Sequence, residues 1–203
     1  MTRREALQRI LTQIGEDDLA LFTTGMISRE AFDLRDRPAN FYMLGSMGLL
    51  SSLGLGLALQ WPARTIWVIE GDGSALMSLG TLPLIASCRP ANLVHIVLDN
   101  EVYESTGGQP TITSTIDLTT LAQAAGYPFA RHITDAAALD SALADALAVA
   151  ALRFILVKVT GRAPEGIGRV TLTPEELKDR FARALAGAPA ATHNSRVTPA
   201  GRR

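Results

Sequence analysis

The chain alternates between two hydrophobic periods. Ala6, Leu7, Ile10, Leu11 and Ile14 recur at the spacing of one helix face, which predicts an amphipathic helix over Arg4–Ile14. Short apolar runs then stand at Leu19–Thr23, Phe41–Leu44, Thr65–Ile69, Leu93–Leu98 and Phe154–Val159. Each is bounded by turn residues and too short for a helix, so each reads as a buried strand. Helical segments fall between them. A short one follows Thr24-Gly25, with Ser28 as its candidate cap, and a glycine-rich one follows Gly45-Ser46-Met47-Gly48. Another is expected over Ser74–Ser87, and alanine-rich ones over Leu118–Ala125 and Ala136–Ala150, the second introduced by Thr134-Asp135. Thr173-Pro174-Glu175-Glu176 opens the last helix with a capping box and a proline in its first turn. Beyond Gly187 no apolar period remains, and residues 188–203 are expected to form a disordered tail. Strands alternating with helices predict an α/β fold, a doubly wound parallel sheet flanked by helices, in one domain over residues 1–187.

Composition narrows the partners. The 203 residues are 47% hydrophobic and 19% charged with a net charge of −1, which offers no electrostatic reason to expect nucleic acid or an anionic membrane. A single cysteine, Cys88, excludes an internal disulfide framework and fits a reducing cytoplasm. The charged, amphipathic start MTRREALQRI does not read as a secretory signal. Pro38 to Ala63 carries no charge, yet its four glycines and three serines, followed at once by another apolar strand, favour a closely packed buried helix over a membrane span.

The candidate chemistry gathers between Glu70 and Gln109. Gly71-Asp72-Gly73 stands where a strand hands over to a helix, and the twenty-six residues between Gly73 and Asn100 allow one helix and one strand. That crossover returns Asn100 to the sheet edge that holds Asp72. One carboxylate oxygen and one amide oxygen converging there suit Mg²⁺, which takes few protein ligands and completes its octahedron with water and phosphate oxygens. Thr24-Gly25 closes another strand at the same edge and is an expected phosphate contact. Glu101 to Thr115 is long for a compact domain and is a candidate functional loop. His95, inside a strand, reads as a hydrogen-bonded core residue.

Taken together, GDGS, the crossover and the terminal asparagine resemble the signature of thiamine-diphosphate enzymes. HIVLDNEVYESTGGQPT, with TTGMISRE and NFYMLGSMGLLSSLGLGLAL upstream, is similar to the cofactor-binding half of the phosphonopyruvate decarboxylase family, with sulfopyruvate decarboxylase its near relative. The resemblance spans about Thr2 to Gly161. It implies Mg²⁺ held by Asp72, Asn100 and the Val102 carbonyl, with thiamine diphosphate contacted by Thr24, Gly25, Gly71, Gly73, Tyr103 and Ser105. Ser74 would add hydroxyl and backbone N–H donors to the phosphates. Gly45 and Ser46 would meet the aminopyrimidine, and Met47 would wedge between the two rings as the catalytic residue.

The implied reaction is decarboxylation of a small anionic 2-oxo acid, 3-phosphonopyruvate first and sulfopyruvate second, with a non-catalytic cofactor-binding subunit as a further alternative. Arg29, Arg35, Arg37 and Arg89 are available cations for such a substrate. Pyruvate decarboxylases place a catalytic carboxylate where Thr106 stands, and the nearby acid here is Glu104, so their proton-transfer machinery does not carry over. Thiamine-diphosphate enzymes also need an activating glutamate from a pyrimidine-binding domain. Glu30, Glu101 and Glu104 adjoin turns or loops of the diphosphate half and do not resemble it. The expected partner is therefore an alpha-type subunit that supplies this glutamate, in a hetero-oligomer.

Overall fold

The computed structural model describes residues 1–160 and 166–187, so the tail expected over 188–203 lies outside the described residues. Among the described residues eight strands form: β1 (Leu19–Phe22), β2 (Asn40–Tyr42), β3 (Ile66–Gly71), β4 (Leu93–Asp99), β5 (Val102–Tyr103), β6 (Gln109–Pro110), β7 (Phe129–Ile133) and β8 (Arg153–Lys158). Six of them make one parallel sheet in the order β2-β1-β3-β4-β8-β7, and β5 pairs with β6 in a small antiparallel hairpin. The helices are α1 (Arg3–Gln13), α2 (Met26–Leu34), α3 (Leu50–Gln60), α4 (Asp72–Met77), α5 (Thr81–Cys88), α6 (Leu118–Ala125), α7 (Ala136–Ala148) and α8 (Pro174–Ala186).

Both faces of the sheet are covered, and the period of two divides each strand between them. Phe22, Trp67, Ile69, Val94, Ile96, Ile155 and Val157 pack under α1, α2 and α7. Leu19, Leu21, Ile66, Val68, Leu93, Val97, Phe154 and Leu156 pack under α3, α5 and α6. Local chemistry sets the helix starts. Thr2 and Glu5 form a capping box for α1, Asp117 caps α6, Asp135 caps α7, and Thr173 with Glu176 caps α8. Gly54 lets α3 lie against the sheet, because a Cβ there would meet the Val68 Cγ2 methyl at 2.2 Å. Among the described residues no helix is long and apolar enough to cross a membrane.

The chain leaves β1 through α2 for β2 on one side, then returns through α3 to β3 on the other. The carboxyl ends of β1 and β3 therefore flank the point where the winding reverses, the place where open α/β sheets bind ligands.

Three elements depart from the sequence expectation. The helix expected over Ser74–Ser87 is two, broken at Ser78–Gly80, where Gly80, a poor helix former, lets the chain turn and α5 seat Leu82, Ile85 and Ala86 in the core. Strand β7 was not legible because its sequence FARHI sits at the sheet edge, with Arg131 and His132 exposed, and shows no alternation. Ser28 is no cap: α2 starts at Met26 after Gly25, whose φ of 94° suits glycine, and the buried Ser28 hydroxyl donates back to the Thr23 carbonyl at 2.6 Å.

Candidate active site

Four strand ends supply the residues at the switch point. Thr23-Thr24-Gly25 continues β1, the turn carrying Met47 follows β2, Gly71-Asp72-Gly73 continues β3, and Asn100 to Ser105 continues β4. Thr24, Met47, Gly71, Asp72, Gly73 and Ser74 line one cleft with Asn100, Val102, Tyr103 and Ser105. Gly25 stands beside it, its ideal Cβ position 3.4 Å from the Ser105 side chain. Gly45 and Ser46 are exposed and do not line it; they belong to a surface turn in which Ser46 adopts a φ of 54°.

The cleft is narrow, about 50 Å³. Tyr103 fills it from one side: a Cβ on Gly73 would lie 2.4 Å from the Tyr103 ring and 3.2 Å from the Met47 methyl carbon, so only glycine permits this contact. From the other side Arg3 reaches in from α1. It donates to both carboxylate oxygens of the buried Glu30, at 2.7 and 3.2 Å, and pairs with Glu104, which also accepts from the Asn100 amide at 3.4 Å.

Asp72 is 2% exposed. Burial pushes its carboxyl up to about 6, and the negative Asp99 adds to the rise, opposed by hydrogen bonds from the Thr111 and Thr113 hydroxyls and the Gly73 N–H. Thr111 donates at 2.6 Å and Thr113 at 3.3 Å, while Asp99 is paired with Lys158 at 2.9 Å. The Asp72 carboxylate is thus a buried anion held by hydroxyls. Asn100 follows β4 in a tight turn: its Oδ1 accepts the Val102 N–H at 3.3 Å, and Glu101 takes a left-handed φ of 61°.

Of the two donors expected from Ser74, the hydroxyl is already committed. It donates inward to Glu70 at 2.6 Å, leaving the backbone N–H for an anion. The expected long loop holds the β5–β6 hairpin and two short 3₁₀ turns, and it brings Thr111 and Thr113 back onto Asp72. Thr106 is exposed within it, bonded to Tyr103 and Gln109.

Sequence reasoning missed Arg3, Thr111, Thr113 and the Glu70 neighbourhood, all of which depend on long-range packing. Arg3 read only as one charge of the amphipathic start, just ahead of the helix expected over Arg4–Ile14. Glu30, expected beside a turn, is a buried helical residue. Of the arginines considered for substrate, none lines the cleft. Arg35 and Arg37 donate to carbonyls of residues 11 to 18 at the amino end of the sheet, and Arg89 ends α5 at that same edge. A roomier cavity of about 500 Å³ also lies there, lined by Arg37, Trp61 and Arg64, and holds none of the expected cofactor or metal residues.

Residues 23–159 match the family model described as thiamine pyrophosphate enzyme, C-terminal TPP binding domain. A phosphonopyruvate decarboxylase of Streptomyces viridochromogenes is 42% identical over 191 residues, 94% of this chain and 48% of that protein. The sulfopyruvate decarboxylase subunit beta of Methanothermobacter thermautotrophicus is 41% identical over 189 residues, 93% of this chain and 97% of that subunit. The chain thus spans about half the length of the phosphonopyruvate decarboxylases it matches. Among solved structures, benzoylformate decarboxylase from Polynucleobacter necessarius superposes with a TM-score of 0.71 at 17% identity, over 81% of this chain and 34% of that one, a likeness of fold.

Proposed function

The chain belongs to the thiamine pyrophosphate enzymes through their C-terminal cofactor-binding domain, and from that premise we propose that it is the diphosphate-holding subunit of a two-chain decarboxylase converting 3-phosphonopyruvate to phosphonoacetaldehyde and CO₂. The observation that carries the reading is Asp72, a carboxylate buried at the switch point among hydroxyl donors. A divalent cation relieves that burial. Mg²⁺ takes few protein ligands and completes its octahedron with water and phosphate oxygens, so one buried carboxylate with two neutral oxygens suffices. In this reading Asp72, the Asn100 side chain and the Val102 carbonyl hold Mg²⁺. Thr24, Gly25, Ser105 and the Ser74 N–H would hold the diphosphate, and Met47 would support the rings.

Thiamine diphosphate, when bound, supplies the nucleophilic carbon and the electron sink for loss of CO₂. The protein holds and orients it. The cleft has room for only a few waters, so Tyr103 and Glu104, which line it, would have to give way to admit the cofactor.

The need for a partner rests on the glutamates. Glu30 is held by Arg3 at both oxygens and Glu104 is paired to the same guanidinium, so neither suits the protonation of an aminopyrimidine ring. The exposed Leu44, Leu49, Met77 and Leu84 offer apolar surface for an alpha-type chain. One observation favours a second reading, a sulfopyruvate decarboxylase beta subunit: the match covers nearly the whole of that subunit. An aldehyde-release assay decides. The chain is incubated alone and with its partner on phosphonopyruvate, sulfopyruvate and pyruvate. Activity with partner on phosphonopyruvate is expected; preference for sulfopyruvate selects the second reading, and full activity of the isolated chain refutes the subunit assignment.

A further inference from the structure

Beneath the cleft a line of polar side chains runs through the otherwise apolar second face of the sheet. Glu70 on β3 and His95 on β4 are buried side by side among Val68, Val97 and Phe154. His95 Nε2 lies 2.7 Å from one Glu70 oxygen, Phe154 packs edge-on against the imidazole, and the Tyr127 hydroxyl stands 3.5 Å from Nδ1. The other Glu70 oxygen accepts the Ser74 hydroxyl at 2.6 Å. Ser74 Oγ in turn accepts from the Thr23 hydroxyl at 3.1 Å and from the Gly48 N–H at 3.2 Å. The ends of β1 and β3 and the turn after β2 therefore meet at one oxygen.

A buried polar set of this kind gives no stability that an apolar packing of equal volume would lack. What it gives is direction. Two oxygens of Glu70 require two donors; the Ser74 proton is thereby drawn inward, and both of its lone pairs face Thr23 and Gly48. We propose that the Glu70–His95 pair is a positioning device for the cofactor, orienting Ser74 so that the Asp72 turn, the Thr23–Gly25 turn and the Met47–Gly48 turn hold their mutual spacing. The inference rests on reading the cleft as the thiamine diphosphate site. Glu70 and His95 line no part of that cleft and act only through Ser74.

The test measures thiamine diphosphate binding by calorimetry in excess Mg²⁺, on the full chain in complex with its partner subunit, beside thermal melting. Glu70→Leu combined with His95→Leu replaces the pair by apolar volume. It should stay folded, with the Ser74 hydroxyl left without its Glu70 acceptor, yet bind the cofactor about 10–100-fold more weakly, the range for groups that orient a ligand set. Glu70→Gln should restore binding to within a few-fold, because the His95 tautomer can accept from the new amide while its oxygen still accepts from Ser74. Ser74→Ala should lose affinity as the double leucine variant does, and joining the two should add little. Wild-type affinity in a folded double leucine variant overturns the proposal. Should that variant not fold, Ser74→Ala decides, and wild-type affinity there overturns it equally. A wild-type complex that binds no thiamine diphosphate refutes the cofactor reading itself, a result distinct from variants that bind as well as wild type.

Discussion

Replacing Asp72 with asparagine is expected to stabilise the metal-free protein while removing the ligand on which Mg²⁺ binding depends. Burial lifts this carboxyl from 3.8 to about 6. A carboxyl whose folded value is the higher binds its proton more tightly when folded. Its contribution to stability is complete below about pH 4 and is lost as the pH rises to about 6. At about 1.4 kcal/mol per unit, the ionised group costs the fold on the order of 3 kcal/mol at neutral pH. Asparagine keeps an oxygen for the Thr111 hydroxyl and removes the repulsion from Asp99. For a chain of this length that is a rise in Tm of roughly 6–12 °C. Melting curves with a chelator at pH 7, 5.5 and 4 should show the variant ahead at pH 7 and the gap closing toward pH 4. Mg²⁺ with thiamine diphosphate should then raise the wild-type Tm and leave the variant unmoved. A variant no more stable than wild type at pH 7, or a gap indifferent to pH, refutes the argument.

Other substitutions separate the remaining roles. Met47→Ala should keep cofactor affinity within roughly tenfold while lowering turnover much more, since it touches ring geometry and not the phosphates; equal losses would mark a core cavity instead. Arg3→Met should cost about 3–5 kcal/mol in urea denaturation because it leaves Glu30 buried without its cation, and adding Glu30→Leu should recover most of it. Absence of recovery would show that the charges are not coupled. Gly54→Ala should destabilise despite alanine's better helix propensity of about 1 kcal/mol, because its Cβ meets Val68 at 2.2 Å and overpacking costs about 1–3 kcal/mol; a gain in Tm would show that α3 can shift.

The sheet was legible because its central strands are buried on both faces and so appear as unbroken apolar runs, and the same burial that makes Leu93–Asp99 a strand carries Asn100 to the edge where Asp72 stands. Edge strand β7 had no such signal. Gly71-Asp72-Gly73 was readable as a site because a glycine-flanked acid after a strand is a local arrangement. Its surroundings were not local: Thr111 and Thr113 lie about forty residues from Asp72, and Arg3 about a hundred from Glu104.

The buried groups mark the division most clearly. Apolar period and turn chemistry, which are properties of neighbours in sequence, determined by themselves the α/β class, the order of the central strands' appearance and the place of the Asp72 turn. Which polar side chains would be drawn out of water was decided only by tertiary structure. His95 reads as a hydrogen-bonded core residue and is one, but its partner, Glu70, was not legible, because it is the parallel pairing of β3 with β4 that sets the two on one face within hydrogen-bond reach. A buried donor or acceptor takes the partner that packing supplies, and that partner is fixed by the register of strands and not by distance along the chain.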